Sequence, residues 1–445
     1  MIMAKRSEAK EIFLSALEAA SPYEAVKKNV RLSSSKGRDR LDIGPLSFDP
    51  NKFKRIYVIG AGKASCGMAR AVEEALGRRL TGGSVVTRYG YGERLKGVQV
   101  IEAGHPIPDR NGIMGAIELT RIAEHAWPED LVICLISGGA SALLPAPVPG
   151  VTLRDKQRAT RLLIESGATI HEINAVRKHI SMIKGGHLLK AASPARVVSL
   201  IISDVVGDDI SSIASGPTAP DSTTYMDAIS VLKKYKIASR VPAAVIKHLK
   251  NGVRGTVEET PKPGDKIFAG CDNLIVADNG ASLEAAKKKA VSLGYKTLIL
   301  SSSVTGHSRD TADFLCAVIR EIKKSGNPVG PPACILLGGE TTVELKGKGL
   351  GGRMQEFALA AALRLGAMEG VTLLAAGTDG TDGPTDAAGA FADSKTLKKA
   401  RQAGMDPSEF LENNDSHTFF KEVGGLFKTG PTGTNVMDVI VAIIE

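Results

Sequence analysis

The chain has 445 residues, of which 43% are hydrophobic, 24% are charged and 48 are glycine. This composition excludes an intrinsically disordered protein, and the length favours two or more domains, each with its own hydrophobic core. The formal net charge of +9, from 57 basic and 48 acidic residues, favours anionic small molecules over nucleic acid as partners, because aromatic residues make up only 4% of the chain.

The sequence predicts a cytoplasmic protein without membrane contact. No apolar run approaches the roughly 20 residues that cross a bilayer, and the first residues are charged and helical rather than signal-like. The 5 cysteines are widely spaced, with no CxxC or zinc-type spacing. We therefore expect reduced cysteines in the core.

A strand predicted at residues 55–59 is followed by the glycine turn Gly60-Ala61-Gly62, then by Lys63 and a helix. Such a unit aims backbone N–H groups at a phosphate or a carboxylate. It lacks the acidic residue of the dinucleotide fingerprint, since Arg88 ends the next strand, and it lacks the Ser or Thr of the NTPase loop, since Ala64 follows the lysine. Lys63 is therefore predicted to be a cation on a glycine turn of neither standard type.

Two further segments follow this unit. His105 stands before Pro106, a context that favours a turn residue over a catalyst. The apolar run at residues 131–136 predicts a central parallel strand, and Ser137-Gly138-Gly139-Ala140-Ser141 follows it directly. Hydroxyls and glycines at that position lie where open α/β sheets bind ligands.

A long helix is predicted from about residue 171. On it Asn174, Arg177 and Lys178 share a face, so an amide and two cations can converge on one ligand. Spacing alone favours the alternative of a solvated helix face.

The apolar run at residues 197–202 ends in a segment with three aspartates, Asp204, Asp208 and Asp209. Carboxylates at a strand end suit a metal or a general base, and they equally suit turns and helix caps.

The segment at residues 237–265 is polar and broken by proline and glycine, and we place the domain boundary there. The predicted domains are a Rossmann-like α/β domain at residues 1–240 and a second α/β domain at residues 241–445. Alternating strand and helix patterns in the second half predict another mainly parallel sheet covered by helices.

The stretch at residues 335–363 carries the second group of candidates. A strand leads into Gly338-Gly339-Glu340-Thr341, and a glycine–lysine loop at residues 347–352 precedes Arg353 at the start of a helix. Glycines, free helical N–H groups and an arginine predict an anion site, with a solvated arginine as the alternative. The next strand ends at Asp379, in a loop that does not match a calcium-binding hand.

Two fixed cations, several carboxylates and many backbone amides are the groups that phosphoryl transfer uses. Because these groups divide between two α/β domains, the sequence predicts an active site in an interdomain cleft that closes on its substrates.

The ordered motifs resemble those of the class II glycerate kinases, whose C-terminal half is called the MOFRL domain. The matching segments are IGAGKAS (59–65), GHPIPD (104–109), LISGGASALL (135–144), INAVRKHIS with IKGG (173–181, 183–186), ISDVVGDD with SGPT (202–209, 215–218), LGGETTV with GGR and QE (337–343, 351–356) and GTDGTDGPTDAAG (377–389). The resemblance implies ATP-dependent phosphorylation of D-glycerate with Mg²⁺, usually giving 2-phosphoglycerate.

Carried onto this chain, the family's motifs imply catalytic roles for Lys63, Asp204 and Arg353. Lys63 and Arg353 would bind the glycerate carboxylate or stabilise the transferring phosphoryl group, and Asp204 would accept the hydroxyl proton or help to hold Mg²⁺. The remaining candidates are substrate- or nucleotide-binding: Gly60, Gly62, Ser137, Gly138, Gly139, Ser141, Asn174, Arg177, Asp208, Gly339, Glu340, Thr341 and Asp379.

The metal ligands are not identified by the sequence. Two departures from the family's pattern are Ala140, where a third glycine is frequent, and His187, where a basic residue often follows IKGG.

Two alternatives to a glycerate kinase remain open: an NAD(P)H-dependent hydroxypyruvate reductase and a non-catalytic protein that binds anions or nucleotides. The expected partners are D-glycerate and ATP, without nucleic acid or membrane. The oligomeric state stays open, a homodimer included.

Overall fold

A computed structural model describes residues 2–35 and 38–445. The chain folds as two compact units. Pro22–Val276 form the first α/β unit, and the described residues up to Ser21 together with Ala277–Glu445 form the second.

The strands of the described residues are β1 (Val30–Ser35), β2 (Arg38–Ile43), β3 (Leu46–Phe48), β4 (Arg55–Ala61), β5 (Gly82–Arg88), β6 (Val98–Ala103), β7 (Asp130–Ile136), β8 (Arg196–Ile202), β9 (Cys271–Ala277), β10 (Lys296–Val304), β11 (Ala333–Gly339), β12 (Val371–Gly377), β13 (Gly389–Asp393), β14 (Leu426–Phe427) and β15 (Asp438–Ile444).

The α-helices of the same residues are α1 (Ile2–Ala19), α2 (Pro22–Asn29), α3 (Ser65–Leu76), α4 (Arg110–Glu124), α5 (Ala140–Leu143), α6 (Leu153–Glu165), α7 (Ile170–His179), α8 (His187–Ala192), α9 (Tyr225–Lys234), α10 (Ala243–Val253), α11 (Asn279–Ser292), α12 (Ser308–Ser325), α13 (Arg353–Leu365), α14 (Thr396–Gln402), α15 (Pro407–Glu412) and α16 (Ser416–Val423).

The first unit is built on a six-stranded sheet of order β6-β5-β4-β7-β8-β9, beside a small antiparallel meander of β1, β2 and β3. Strands β4 to β8 pair in parallel, and β7 is buried along its whole length because its residues are almost all apolar. The strand order reverses between β4 and β7, because β5 and β6 lie on one side of β4 and β7 lies on the other. In doubly wound sheets the crevice for ligands lies where the strand order reverses, outside the carboxyl ends of the strands.

The second unit has a mixed sheet of order β10-β11-β15-β12-β13-β14. The α/β class is confirmed, but the prediction of a mainly parallel second sheet is wrong. Strands β10 and β11 pair in parallel, whereas the last strand, β15, inserts antiparallel between β11 and β12, and β13 and β14 add antiparallel pairs. An apolar strand of 7 residues carries no local signal of the neighbour it will pair with.

The observed units differ from the predicted boundaries at residues 1–240 and 241–445. Strand β9 completes the first sheet and α10 packs in the core of the first unit, although prolines and glycines interrupt the segment before β9. Helix α1 buries Ile12 and Phe13 in the core of the second unit, against residues of α11 and β15.

Two other features follow from the sequence. All five cysteines are free thiols, four of them buried and Cys271 partly so. Among the described residues, none of the helices combines the length and the apolar character that a membrane span requires.

Candidate active site

The glycine turn after β4 is bonded to the loop after β7. The backbone N–H of Lys63 donates to the carbonyl of Gly138 over 2.9 Å, and the N–H of Ala64 donates to Ser137 Oγ over 3.1 Å. Gly62 has a φ of +136°, and a Cβ there would lie 2.0 Å from Ser137 Oγ. Gly62 and Ser137 therefore hold the two loops in contact, and only glycine fits at this approach.

Lys63 and Asp204 border the same two glycines. A Cβ on Gly138 would lie 2.2 Å from Asp204 Oδ2, and a Cβ on Gly139, where φ is +86°, would lie 3.3 Å from Lys63 Cγ. The structure thus brings together a cation, a carboxylate and a glycine loop at the carboxyl ends of three adjacent strands, β4, β7 and β8. The sequence predicted both residues at strand ends, and their catalytic roles stay predictions.

His105 joins this group, although its sequence context favoured a turn residue. Its ring lies against Gly139, where an added Cβ would be 3.1 Å from His105 Nε2. Burial, together with the charges of Lys63 and Arg88, lowers the pKa of His105 to about 4, so the imidazole is neutral at pH 7. Its Nδ1 atom is buried without a hydrogen-bond partner. The available signal was its position, two residues beyond the end of β6 at the same edge of the sheet.

Three other candidates of this unit have different surroundings. Gly60 lies inside β4, where a Cβ would meet the Leu135 carbonyl at 2.3 Å, so strand packing requires this glycine. Asp208 has a φ of +56°, and its side chain makes no hydrogen bond or ion pair with other described residues. Asp209 accepts hydrogen bonds from the two serines that follow it, as a turn-forming aspartate does. Ala140 begins α5 without a positive φ, so the missing third glycine does not distort this loop.

Helix α7 directs Asn174 and Arg177 toward Ser141. The helix begins at a capping box, in which Thr169 Oγ1 accepts from the N–H of Glu172 and the Glu172 carboxylate accepts from the N–H of Thr169. Lys178, predicted on the same face, instead pairs with Asp221 over 3.2 Å in the interior.

Ser141 is the centre of a polar group that we call the Ser141 cluster: Ser141, Asn174, Arg177, Lys184 and Ser215. Arg177 Nη2 donates to Ser141 Oγ, and Lys184 Nζ donates to the same oxygen over 2.8 Å and to the Ser141 carbonyl over 2.9 Å. The hydroxyls of Ser141 and Ser215 lie 2.8 Å apart, and Ser215 Oγ donates to Asn174 Oδ1 over 2.9 Å. Lys184, from the glycine-rich segment after α7, was not among the predicted site residues.

In the second unit, Arg353 is held by two carboxylates. Its Nε and Nη2 donate to the two oxygens of Asp438 over 2.6 and 3.0 Å, and its Nη1 donates to Glu340 over 2.8 Å. Burial alone would lower the pKa of Arg353, but Asp438 and Glu340 raise it above its usual range. Asp438 begins β15 between β11 and β12, which brings it beside Glu340 at the end of β11. The sequence did not identify Asp438.

The N-terminus of α13 is already occupied by a side chain. Asp382 accepts hydrogen bonds from the N–H groups of Met354 and Gln355 over 3.1 and 2.8 Å. The backbone N–H groups of residues 346, 347, 348 and 350 donate to side chains of residues 413–415, and that of Gly349 donates to the carbonyl of Asn413. The prediction of free N–H groups for an anion at this loop is therefore wrong, because internal carboxylate and amide oxygens satisfy them.

The remaining candidates of the second unit have roles in the fold. Gly339 has a φ of +139°, and a Cβ there would meet the Val304 carbonyl at 2.2 Å, so the pairing of β10 with β11 requires this glycine. Thr341 is buried, with its hydroxyl 2.8 Å from that of Ser308. Asp379 accepts hydrogen bonds from the backbone and hydroxyl of the threonine two positions later.

Two family models match this chain. The model described as "Domain of unknown function (DUF4147)" matches residues 8–250, and the model described as "MOFRL family" matches residues 333–438.

The chain is similar to known proteins over nearly its whole length. A protein of Pyrococcus horikoshii named Glycerate 2-kinase is 45% identical over 430 residues, which cover 96% of this chain and 95% of that protein. The crystal structure of a Glycerate kinase from Thermotoga maritima has a TM-score of 0.87 and 38% sequence identity, with 100% of each chain covered. A protein of Agrobacterium vitis, provisionally named as a hydroxypyruvate reductase, is 44% identical over 392 residues, which cover 88% of this chain and 87% of that protein.

Proposed function

The chain belongs to the glycerate kinase family that combines a DUF4147 region with a MOFRL region, and we propose that it transfers a phosphoryl group from ATP to the 2-hydroxyl of D-glycerate. The products are ADP and 2-phosphoglycerate. Family membership was predicted from the ordered motifs and is confirmed. The cytoplasmic location and the interdomain cleft stay predictions.

The observation that carries the proposal is the position of Lys63 and Asp204 against the loop at Gly138 and Gly139. A carboxylate that accepts the proton of the attacking hydroxyl and a cation that offsets charge on the transferring group must act on the same few atoms. We assign the base to Asp204 and the charge stabilisation to Lys63. Because His105 beside Lys63 is neutral at pH 7, it adds no second charge to the site.

Arg353 receives a narrower role than its sequence context implied. It uses three of its five N–H groups on Asp438 and Glu340, so its charge is balanced within the protein. The two N–H groups that remain can bind an oxygen of a substrate, while the pair with Asp438 fixes the direction of the guanidinium. We propose that Arg353 orients a substrate oxygen and that Glu340 is oriented with it.

Mg²⁺ fits this chain as an ion that arrives with the nucleotide. Among residues 2–35 and 38–445, no group of three or more His, Cys, Asp or Glu side chains could hold a metal by itself. Mg²⁺ in kinases needs only one or two protein carboxylates, because phosphate oxygens and water complete its coordination. Asp204 is the carboxylate of the first unit that we propose for this role. When bound, Mg²⁺ would neutralise charge on the phosphate chain.

The reductase alternative has little support in this chain. A relative bears that name only provisionally, and β5 ends in Arg88 rather than in the acidic residue that binds a nicotinamide ribose. The proposal therefore remains a kinase.

A coupled assay for ADP release tests the activity. Purified protein with ATP and Mg²⁺ should release ADP only when D-glycerate is present, and phosphorus NMR of the product should identify 2-phosphoglycerate. Folded protein that releases no ADP with D-glycerate, or that oxidises NADH with hydroxypyruvate, would refute the kinase assignment. A 3-phosphoglycerate signal would correct the position of transfer.

A further inference from the structure

We propose that the Ser141 cluster, with Lys184 as its buried base, is a binding site for a phosphate group. The proposal adds Lys184 to the functional residues and gives the cluster a defined ligand chemistry. The carrier of the phosphate depends on the proposed kinase activity, whereas binding of a phosphate group does not.

The interior beside Ser141 holds an excess of positive charge. Arg177 and Lys184 converge on one hydroxyl oxygen, and Lys184 is only 1% exposed. Lys156, 4% exposed, adds a third cation. The charges of Lys156 and Arg177 both lower the pKa of Lys184. Within the part of the chain that the structure describes, none of these three side chains pairs with a carboxylate.

Buried cations without an opposite charge destabilise the folded protein unless an anion compensates them. Burial lowers the pKa of Lys184 and of Lys156 well below the usual range, and it lowers the pKa of Arg177 to about 10. An anion beside them would supply the missing opposite charge and restore the ordinary preference for the protonated form.

The hydrogen bonds of the Ser141 cluster run in one direction. Ser141 Oγ accepts from both Arg177 and Lys184, so its two lone pairs are used and its own proton goes to Ser215. Ser215 in turn donates to Asn174 Oδ1, which leaves the Asn174 amide group with both of its hydrogens. Asn174 is 3% exposed, and its Nδ2 atom has no partner. The group left without a partner in this cluster is therefore a donor, which only an acceptor such as an oxyanion can satisfy.

The backbone conformation of Ser215 and the exposure of the cluster determine how a ligand reaches it. Ser215 has a φ of +63°, an uncommon conformation for a serine, and this conformation sets its hydroxyl between Ser141 and Asn174. Ser141 and Arg177 are partly exposed, whereas Lys184 and Asn174 lie beneath them. A ligand therefore reaches the donors from the side of Ser141 and Arg177.

The charge of the cluster selects the kind of oxyanion. A monovalent carboxylate would offset one of the cations, whereas a phosphate group carries up to two charges and several acceptor oxygens for a planar guanidinium and an ammonium. In a glycerate kinase two molecules carry such a group, the nucleotide and 2-phosphoglycerate.

Isothermal titration tests the site without turnover. Wild-type protein would be titrated separately with inorganic phosphate, with a non-hydrolysable ATP analogue, with 2-phosphoglycerate and with D-glycerate. The variants are Lys184→Met, Arg177→Met and the conservative Arg177→Lys, and the control is Lys247→Met, which removes an exposed charge on α10 of the same unit. Circular dichroism would establish that each variant is folded.

The expected result is a loss of affinity for inorganic phosphate of at least about tenfold in Lys184→Met and Arg177→Met, with a smaller loss in Arg177→Lys and none in Lys247→Met. If the variants lose as much affinity for the ATP analogue but not for 2-phosphoglycerate, the site binds a phosphate of the nucleotide. If they lose as much affinity for 2-phosphoglycerate but not for the ATP analogue, the site binds the phosphate of the product.

Three results would overturn the site: wild-type protein that does not bind phosphate, folded variants that bind it as tightly as wild type, or a loss confined to D-glycerate. The separate ADP-release assay shows whether the kinase proposal fails. Phosphate binding that depends on Arg177 and Lys184 without turnover would leave the site intact and refute only the activity.

Discussion

Arg353 and Asp438 form a two-bonded ion pair across 85 positions of the sequence, with Nε 2.6 Å from Oδ2 and Nη2 3.0 Å from Oδ1. Asp438 is fully buried, whereas Arg353 keeps about a third of its side chain exposed. The pair anchors a partly exposed guanidinium to the middle of the second sheet. Because Asp438 is buried near other carboxylates, its pKa is raised, and its protonation affects how stability depends on pH.

The first prediction concerns the pH dependence of stability. Burial raises the pKa of Asp438 to about 7, against the opposing effect of Arg353, and Asp382 and Glu340 raise it further. The ordinary value is 3.8, so between 3.8 and about 7 the folded protein holds a proton that the unfolded chain has lost. The contribution of this group to the free energy of unfolding therefore decreases as pH rises through that interval, by at most about 1.4 kcal/mol per pH unit.

Asp438→Asn removes this titration. Thermal unfolding of wild type and variant between pH of about 5 and about 7 should show the wild type losing stability relative to the variant as pH rises. Asp313→Asn, which breaks the exposed pair with Arg364, is the control and should change stability little at any pH in this range. A difference between wild type and Asp438→Asn that stays constant with pH would contradict the prediction.

A second prediction couples Lys63 to His105. Lys63→Met should lower turnover by on the order of 10²-fold or more, as the loss of a preorganised charge does. The same change should raise the pKa of His105, because the charge of Lys63 adds to burial in lowering it. Proton NMR of the imidazole gives the pKa in the presence and absence of Lys63. Lys247→Met should alter neither quantity, and an unchanged His105 titration in Lys63→Met would show that the two side chains are not neighbours.

The first sheet and its glycine loops could be predicted because their signals are local. Residues 131–136 are an unbroken apolar run, and the structure begins the strand only one residue earlier, at Asp130. The hydroxyls and glycines after such a strand necessarily lie at its carboxyl end. Lys63 and Asp204 follow β4 and β8 and lie at the same edge of the sheet because parallel strands share an orientation.

The second group of candidates could not be predicted in the same way, because its partners are remote. Asn414 satisfies the N–H groups of the glycine–lysine loop from 67 and 68 positions away, and Asp382 caps α13 from 27 and 28 positions away. A glycine-rich loop that binds an anion and one that packs against an asparagine have the same local sequence pattern. Only the long-range pairing that inserts β15 distinguishes them.

A third prediction tests the loop that Lys63 and Asp204 contact, at Gly138 and Gly139. Gly138→Ala should displace Asp204, because the added Cβ would lie 2.2 Å from Asp204 Oδ2, and turnover should fall while the protein remains folded. Gly270→Ala is the matched control in the same unit, since its Cβ would meet only one atom, at 3.8 Å. Rates and circular dichroism of both variants give the comparison. Wild-type turnover in Gly138→Ala would remove the support for Asp204 as the base.

A fourth prediction separates capping from ligand binding at α13. Asp382 is 3% exposed, and its carboxylate accepts from two backbone N–H groups and from the amide of Gln355. Asp382→Ala should therefore lower the free energy of unfolding by about 1–3 kcal/mol, because it leaves buried donors without an acceptor. Asp406→Ala removes an exposed cap from α15 and should cost less. Denaturant unfolding measures both.

The same variant has a second consequence, which depends on the freed N–H groups. The space left by the Asp382 side chain would be lined by donors at a helix N-terminus, so added acetate should raise the melting temperature of Asp382→Ala more than that of wild type or Asp406→Ala. Acetate would then occupy the position of the missing Asp382 carboxylate, and its effect would not indicate a substrate site. If Asp382→Ala were as stable as wild type and did not respond to acetate, the N–H groups of α13 would not depend on Asp382. The anion site that the sequence predicted at Arg353 would then be supported again.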